Sequence, residues 1–296
     1  MASIHDLAEA DLVAIFSQLS LEERHRSVPF VCRSWWQLLC SVPQLAPRSM
    51  AVSFDGTQRG ASRLRAFCAW LVARGAGTIQ HLSLKFGRGL SMPPQLRAQP
   101  EADVTAALAA CGTAGSLTAL QLDGLAGTPA IWAGSMRSLR RLEIVVQRAH
   151  HDLQPWDPPV QSLAGLQELS LYGSMDLGPS IPLPACLTKL HLNYRGQFDD
   201  VALPRKLTAL TRLHTLELDS PEDGLEALGE LTTLRRLSLH HSEAPGCISQ
   251  LTCLESLVLF DVCVEQEDEA EAHLVSVVAP LVHLQKLTHL AFSPDW

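Results

Sequence analysis

A six-residue pattern, Leu-x-x-Leu-x-Leu, recurs nine times between residue 79 and residue 292, and it constrains the fold more than any other feature. Its fourth and sixth positions alternate as strand residues do, so both side chains point to the same face. The first leucine enters the same interior from the preceding turn. Because one unit cannot bury its own leucines, the units must stack, each covering the next. The copies begin at Ile79, Leu117, Leu139, Leu166, Leu187, Leu213, Leu234, Leu254 and Leu287.

The main alternative for so leucine-rich a chain is a helical bundle, in which apolar residues would recur with a period of about 3.6. The two-residue alternation within each copy, and the proline and glycine between copies, argue against a bundle. Consecutive copies begin 20 to 38 residues apart. This pattern at a period of roughly 20–29 residues is typical of leucine-rich repeats. Residues 79–292 therefore resemble the leucine-rich-repeat family.

The resemblance implies an α/β fold, an irregular solenoid of about nine to ten repeats with a parallel sheet on its concave face and helices and loops on its convex face. Met50, Val52 and Phe54 alternate in the same way and indicate a founding strand before the first copy. The chain has a single asparagine, so the turn backbone must be satisfied by something other than the asparagine ladder of many such proteins. The sequence predicts convex helices at 62–77, 101–111, 221–228 and 267–278, and loops at 86–100 and 147–161.

The first fifty residues follow a different pattern. Leu12, Ile15, Phe16 and Leu19 form one apolar stripe at helical spacing. A second helix restarts at Ser20, and a third apolar segment follows Pro29. Three short helices cannot bury this much apolar surface among themselves. An exposed apolar face of this kind usually belongs to a partner.

Residues 7–19, together with Val31-Cys32-Arg33-Ser34-Trp35, resemble an F-box, whose members run Leu-Pro-x-x-hydrophobic-Leu-x-x-Ile-Phe-x-x-Leu and then Val-Cys-x-x-Trp. The chain departs from that pattern at Ala8 and Asp11, and Pro29 falls in the run that leads into Val-Cys. The resemblance implies an F-box at 1–48, a solenoid at 49–296, and docking on the Skp1 adaptor of a cullin-based ubiquitin ligase. The positions that match the adaptor-contacting pattern are Leu7, Leu12, Ile15, Phe16, Leu19, Val31, Cys32 and Trp35. The alternative is a helical cap that shields the first repeat.

Composition limits the remaining functions. A net charge of −8 argues against a nucleic-acid partner, which requires a basic face. No apolar run reaches the roughly 18 residues of a membrane span. Early acidic residues argue against a signal or transit peptide, so we expect a cytosolic or nuclear protein with eight reduced cysteines. The chain lacks the common catalytic motifs, and the neighbouring pairs His150-His151 and His240-His241 cannot chelate one ion simply. We therefore expect no enzyme activity, no cofactor and no metal.

The exposed face of the sheet is the expected binding surface. If the fourth and sixth residues of each hexamer face inward, the third, fifth and seventh face outward. Those positions mix charged residues with a few aromatic ones, a composition that suits protein recognition. The residues predicted to contact a target are Arg141, Glu143, Tyr172, His191, Asn193, Glu217, Arg236, His240 and Phe260.

The leading hypothesis is a substrate receptor of a ubiquitin ligase, with the N-terminal helices on the adaptor and the repeats on the target protein. The rival is a repeat scaffold without a ligase role. A small-molecule sensor would require clustered basic residues in a concave pocket, and the outward positions hold only scattered ones. A further alternative leaves the sheet face solvated and places the target on the loops or the terminal edge.

Overall fold

A computed structural model describes most of the repeat region and part of the N-terminal segment. The chain divides into two compact units, Met1–Ala119 and Leu120–Trp296. The predicted domain boundary after residue 48 stays a prediction. The described residues are 8–19, 35, 48–55, 57–87, 94–124, 133–146, 160–173, 183–193, 206–219, 225–240, 246–262 and 279–294.

In the first unit, helix α1 spans Glu9–Gln18, and its residues Ile15 and Phe16 have opposite environments. Phe16 is 2% exposed, and its ring meets Trp35, which is 8% exposed, edge-on at 5.0 Å between centroids. Both aromatic side chains match the predicted adaptor-contacting pattern, and the structure buries each ring against the other, so their contact with an adaptor stays a prediction. Ile15 is 45% exposed. Leu7, Val31 and Cys32 lie outside the described residues. So do the segments of the other two predicted helices, except for Trp35, which is helical.

The predicted founding strand is confirmed as β1, Ser49–Phe54, which pairs in parallel with β2, His81–Phe86, so that Phe54 lies beside Phe86. Helix α2, Gln58–Trp70, continues as a π-helical turn over Leu71–Gly75. Helix α3 spans Pro94–Ala114 and contacts α2, where Leu64, Cys68, Val104, Leu108 and Cys111 are buried. These helices occupy the positions predicted for the convex side of the first repeats.

Both helices are longer than the sequence predicted. Helix α2 starts at Gln58 rather than residue 62 because Thr57 is its N-cap, and the hydroxyl of Thr57 accepts a hydrogen bond from the Gly60 amide at 3.1 Å. Helix α3 starts at Pro94 within the predicted loop 86–100. A proline is compatible with the first helical turn, where its missing amide hydrogen has no partner to lose.

In the second unit, parallel strands follow one another in chain order. Strand β3, Ala119–Asp123, begins at the last residue of the first unit. The rest of the strands are β4 Arg141–Val146, β5 Glu168–Gly173, β6 Lys189–Asn193, β7 Thr215–Asp219, β8 Arg236–His240, β9 Ser256–Val262 and β10 His289–Pro294. The register from β5 to β9 aligns equivalent leucines, such as Leu190 with Leu216 and Leu216 with Leu237. From β4 to β9 these leucines, and Ile144 on β4, are at most 3% exposed, so the predicted inward face is confirmed there.

The segments that lead into the strands of the second unit are mostly short 3-10 turns. They span Ala133–Ser135, Val160–Ser162, Leu225–Glu230, Gly246–Gln250 and Ala279–His283. The described part of the predicted helix at 221–228, from residue 225 onward, is a 3-10 helix that continues to Glu230. The predicted helix at 267–278 and most of the predicted loop at 147–161 lie outside the described residues.

A three-residue apolar spacing explains why these turns are 3-10 helical. The hexamer leucines are preceded by apolar residues at steps of three, as in Leu228-x-x-Leu231-x-x-Leu234, and all three are buried. A 3-10 helix has three residues per turn, so side chains three apart lie one above the other and enter the same core. Backbone bonds from Leu231 to Leu228 and from Leu234 to Leu231, each 2.9 Å, follow this period.

Threonine and cysteine side chains bond the turns that lead into two of the strands, β5 and β7. The residue before the first hexamer leucine reaches back to two carbonyl groups of the preceding turn. Cys186 Sγ donates to Ala164 O at 3.1 Å and to Leu166 O at 2.9 Å. Thr233 Oγ1 donates in the same way to Thr211 O at 3.3 Å and to Leu213 O at 3.0 Å. These bonds satisfy turn carbonyls that would otherwise lack partners.

The last copy differs from those before it. Leu290 occupies the fourth hexamer position, yet it is 49% exposed, and Phe292 at the sixth position is half-buried. In the part of the chain that the structure describes, β10 pairs with β9 alone, so its inward leucine has no following strand to cover it.

The cysteines among the described residues are free thiols. Cys68 and Cys111 are buried between the helices of the first unit, and this burial raises the pKa of Cys68 to about 12 and that of Cys111 to about 11. Since the thiolate is the reactive form, these two side chains are inert core residues at neutral pH.

Candidate functional site

The outward-facing positions of strands β4 to β9 form the exposed sheet face of the second unit. On β5, β6 and β7 the third, fifth and seventh hexamer residues are half-buried, whereas the fourth and sixth are buried. This alternation follows from the pleat of a strand, which sends successive side chains to opposite faces. The nine residues predicted to contact a target all lie on this exposed face.

Five of these residues form one continuous group, which we call the central cluster: Tyr172, His191, Glu217, His240 and Phe260. The rings of Tyr172 and His191 lie 4.5 Å apart, and the Tyr172 hydroxyl is 3.3 Å from His191 Nδ1. Glu217 lies between the two histidines, with Oε2 3.1 Å from His191 Nδ1 and Oε1 3.7 Å from His240 Nε2. The rings of His240 and Phe260 stack at 4.8 Å. The cluster thus crosses five neighbouring strands.

Burial shifts the pKa values of two residues of the cluster, His191 and Tyr172. The pKa of His191 lies below its usual value, first because of desolvation, and the nearby His240 and Lys189 lower it further while Glu217 opposes the shift. His191 is therefore uncharged at neutral pH. An uncharged imidazole donates to Glu217 from Nδ1 only in the tautomer that carries the hydrogen there. Burial also raises the pKa of Tyr172, and the carboxylates of Glu143 and Glu217 add to this effect.

A second polar group lies on strands β3 to β5. Arg141 is 3.7 Å from carboxylate oxygens of both Glu143 and Glu168, and Gln121 Nε2 donates to Glu143 Oε1 at 2.7 Å. The Arg141 side chain remains largely exposed, so its contacts with the two glutamates contribute little to stability.

The structure places the other two predicted target residues on the same face but outside both groups. Asn193 is half-buried on β6, in register between Tyr172 and Asp219. Arg236 is exposed on β8 beside Thr215. The prediction did not select Gln121, Glu168 or Ser238, although Ser238 Oγ is 3.1 Å from His240 Nε2. All three stand at third or fifth hexamer positions, so the rule that selected the other residues also points to them.

Comparison with known proteins shows no family for this chain. No protein-family model matches the chain, and no curated protein sequence does. A solved structure that is similar is a leucine-rich-repeat protein of Leptospira interrogans, 15% identical over 84% of this chain and 79% of that chain, with a TM-score of 0.29. The assignment of a leucine-rich-repeat architecture therefore rests on the parallel strands and buried hexamer leucines of this chain itself.

The described residues contain no group of three or more histidine, cysteine or acidic side chains arranged to hold a metal ion. Of the described helices, none combines the length and hydrophobicity that crossing a membrane requires.

Proposed function

We propose that this chain is a protein-recognition module that binds its partner through the exposed sheet face of the second unit. The central cluster is the observation that carries this proposal. It presents two aromatic rings and two imidazoles around one carboxylate, and Phe260 is 37% exposed. Energetically dominant residues of protein interfaces are often aromatic or charged side chains inside a polar rim.

The fixed geometry of the cluster supports binding rather than catalysis. Each polar side chain of the cluster is already held by a neighbour, since Glu217 contacts both histidines and Tyr172 contacts His191. A surface that is ordered before binding loses less conformational entropy when a partner docks. We assign no reaction to the chain.

A double variant tests the recognition proposal. Combining Glu217→Lys with Phe260→Ala should reduce the recovery of specific partners from a cell extract by at least about tenfold, the loss expected when dominant interface residues are removed. The readout is quantitative affinity purification against the unaltered protein. The matched control is Arg137→Glu on an exposed turn, which should retain those partners. Equal losses from both variants would refute recognition through the sheet face.

The finer proposal, a substrate receptor of a Skp1–cullin ubiquitin ligase, is supported by the F-box resemblance of the N-terminal segment. Helix α1 forms where the first half of that pattern lies, and it exposes Ile15 while Leu12 and Leu19 are half-buried. With Phe16 and Trp35 packed on each other, an adaptor contact on α1 would use Ile15 and its half-buried neighbours. The chain would then raise the effective concentration of its target near the ligase.

A substitution on α1 separates the ligase receptor from the plain scaffold. Ile15→Asp should lower co-purification with a Skp1-like adaptor by at least about tenfold, because it places a charge in an apolar contact. Ser17→Asp changes an exposed residue of the same helix and should leave co-purification intact. Circular dichroism of both variants checks the helix content. If the unaltered protein does not bind the adaptor, or if Ile15→Asp binds it normally, the assignment to α1 is wrong and the scaffold is favoured.

A further inference from the structure

The exposed sheet face of strands β4 to β9 is divided by charge. Its lysine and arginine residues all stand at the third hexamer position, where they are Arg141, Lys189 and Arg236. The fifth and seventh positions of the same strands carry three carboxylates and no lysine or arginine. Those carboxylates belong to Glu143, Glu217 and Asp219. We call the fifth and seventh positions of β4 to β9 the acidic half of the face.

The hydrogen-bonding groups of the central cluster also favour a positively charged donor. Glu217 accepts from His191 when Nδ1 carries the hydrogen, and it lies 3.7 Å from Nε2 of His240. When His191 donates to Glu217 from Nδ1, its Nε2 is left as an acceptor. In this state the cluster offers an imidazole acceptor beside the negative charge of Glu217.

We propose that the acidic half of the face binds an arginine side chain of the protein partner at the central cluster, an inference that rests on the proposed function. A guanidinium group has five N–H donors in a planar fork, which matches a carboxylate beside imidazole acceptors. Its plane also stacks on aromatic rings, and Tyr172 and Phe260 flank the cluster on either side. Arg141, Lys189 and Arg236 stand at the third positions, and Arg141 lies 3.7 Å from Glu143 and from Glu168, whereas Glu217 is contacted by the two histidines.

His191 makes this binding dependent on pH. Protonation of His191 replaces an acceptor by a donor and adds a positive charge beside Glu217. Because burial holds the pKa of His191 below its usual value, affinity for a cation should fall only once the pH drops below the usual imidazole value. Charged groups stand near His191 on its own strand and on neighbouring strands: Glu168 on β5, Lys189 on β6, and Glu217 and Asp219 on β7, with Arg236 beyond them on β8. At neutral pH the uncharged His191 keeps the site receptive to a cation.

Nuclear magnetic resonance titration of the full chain tests the proposal with small probes. The probes are N-acetyl-arginine methylamide and the matched neutral N-acetyl-citrulline methylamide, which has the same shape without the charge. We expect saturable shifts of the His191 and His240 imidazole resonances with the arginine probe. The citrulline probe should bind at least about fivefold more weakly, the factor expected for a partly exposed ion pair.

Two variants locate the contact. Glu217→Gln should reduce arginine binding to the citrulline level, whereas Glu230→Gln, which changes an exposed acid on a turn of the same unit, should leave it unchanged. Equal binding of the two probes, or arginine binding that survives Glu217→Gln, would overturn the inference. Binding of N-acetyl-glutamate methylamide in place of the arginine probe would overturn it too and would indicate an acidic partner. If partner recovery still depends on Glu217 and Phe260 while the arginine probe does not bind, recognition by the face stands and only this inference fails.

Discussion

Leu216→Ala is expected to lower the free energy of unfolding by about 3–5 kcal/mol, the largest effect of any single substitution that we predict. Leu216 occupies the fourth hexamer position on β7 and is fully buried, with Leu190 and Leu237 at the equivalent positions of the neighbouring strands. Truncation removes apolar contacts on both sides and leaves a cavity that the stacked strands can close only in part. Urea denaturation followed by circular dichroism measures the loss.

Leu290→Ala is the matched control, because Leu290 holds the same hexamer position on β10 but is 49% exposed. Its removal should cost less than about 1 kcal/mol, since much of the side chain is already in water. Similar losses for the two variants would mean that burial by a following strand does not stabilise these leucines, and the stacking account would be wrong.

Gly173→Ala is expected to cost at least about 2 kcal/mol for reasons of backbone geometry rather than burial. Gly173 ends β5 with a φ of 105°, a conformation that residues with a Cβ rarely adopt. An added Cβ would also overlap the carbonyl oxygen of Val146 on the neighbouring strand β4. Because the obstacle is backbone, one strand end must move. Thermal unfolding compared with the unaltered protein gives the cost.

Gly134→Ala serves as the reference, since a Cβ at Gly134 meets no atom within 4 Å and the residue lies in a 3-10 turn of the same unit. This variant should fall within about 0.5 kcal/mol of the unaltered protein, as surface substitutions usually do. A Gly173→Ala protein as stable as Gly134→Ala would contradict the close approach of β4 and β5.

The strands and the exposed face were predictable from the sequence because a period of two leaves little choice. Once Leu169 and Leu171 are assigned to the core, Tyr172 must face outward, and the same arithmetic applies to His191 and Glu217. The two-residue period does not predict which side chains on neighbouring strands contact each other. The approach of Glu217 to both histidines depends on the register of β6, β7 and β8, which only the stacked structure sets.

Two features were not predicted: the 3-10 turns, and the burial of Phe16 against Trp35. The 3-10 turns could have been predicted from the spacing of Leu228, Leu231 and Leu234, which matches a three-residue period rather than an α-helical one. The burial of Phe16 against Trp35 could not, because an apolar helical stripe does not reveal what covers it. A sequence resemblance to a docking motif therefore did not predict which of its side chains are exposed.

A photo-crosslinking amino acid placed on the exposed sheet face tests the central claim most directly. Val258 is half-buried on β9, at an outward position near the central cluster, and Arg137 is exposed on a turn of the same unit. With p-benzoylphenylalanine at each position in turn, the account predicts partner adducts from position 258 that disappear when Glu217→Lys is added, and no such adducts from position 137. Adducts from position 137 alone, or from position 258 regardless of Glu217, would contradict recognition through this face.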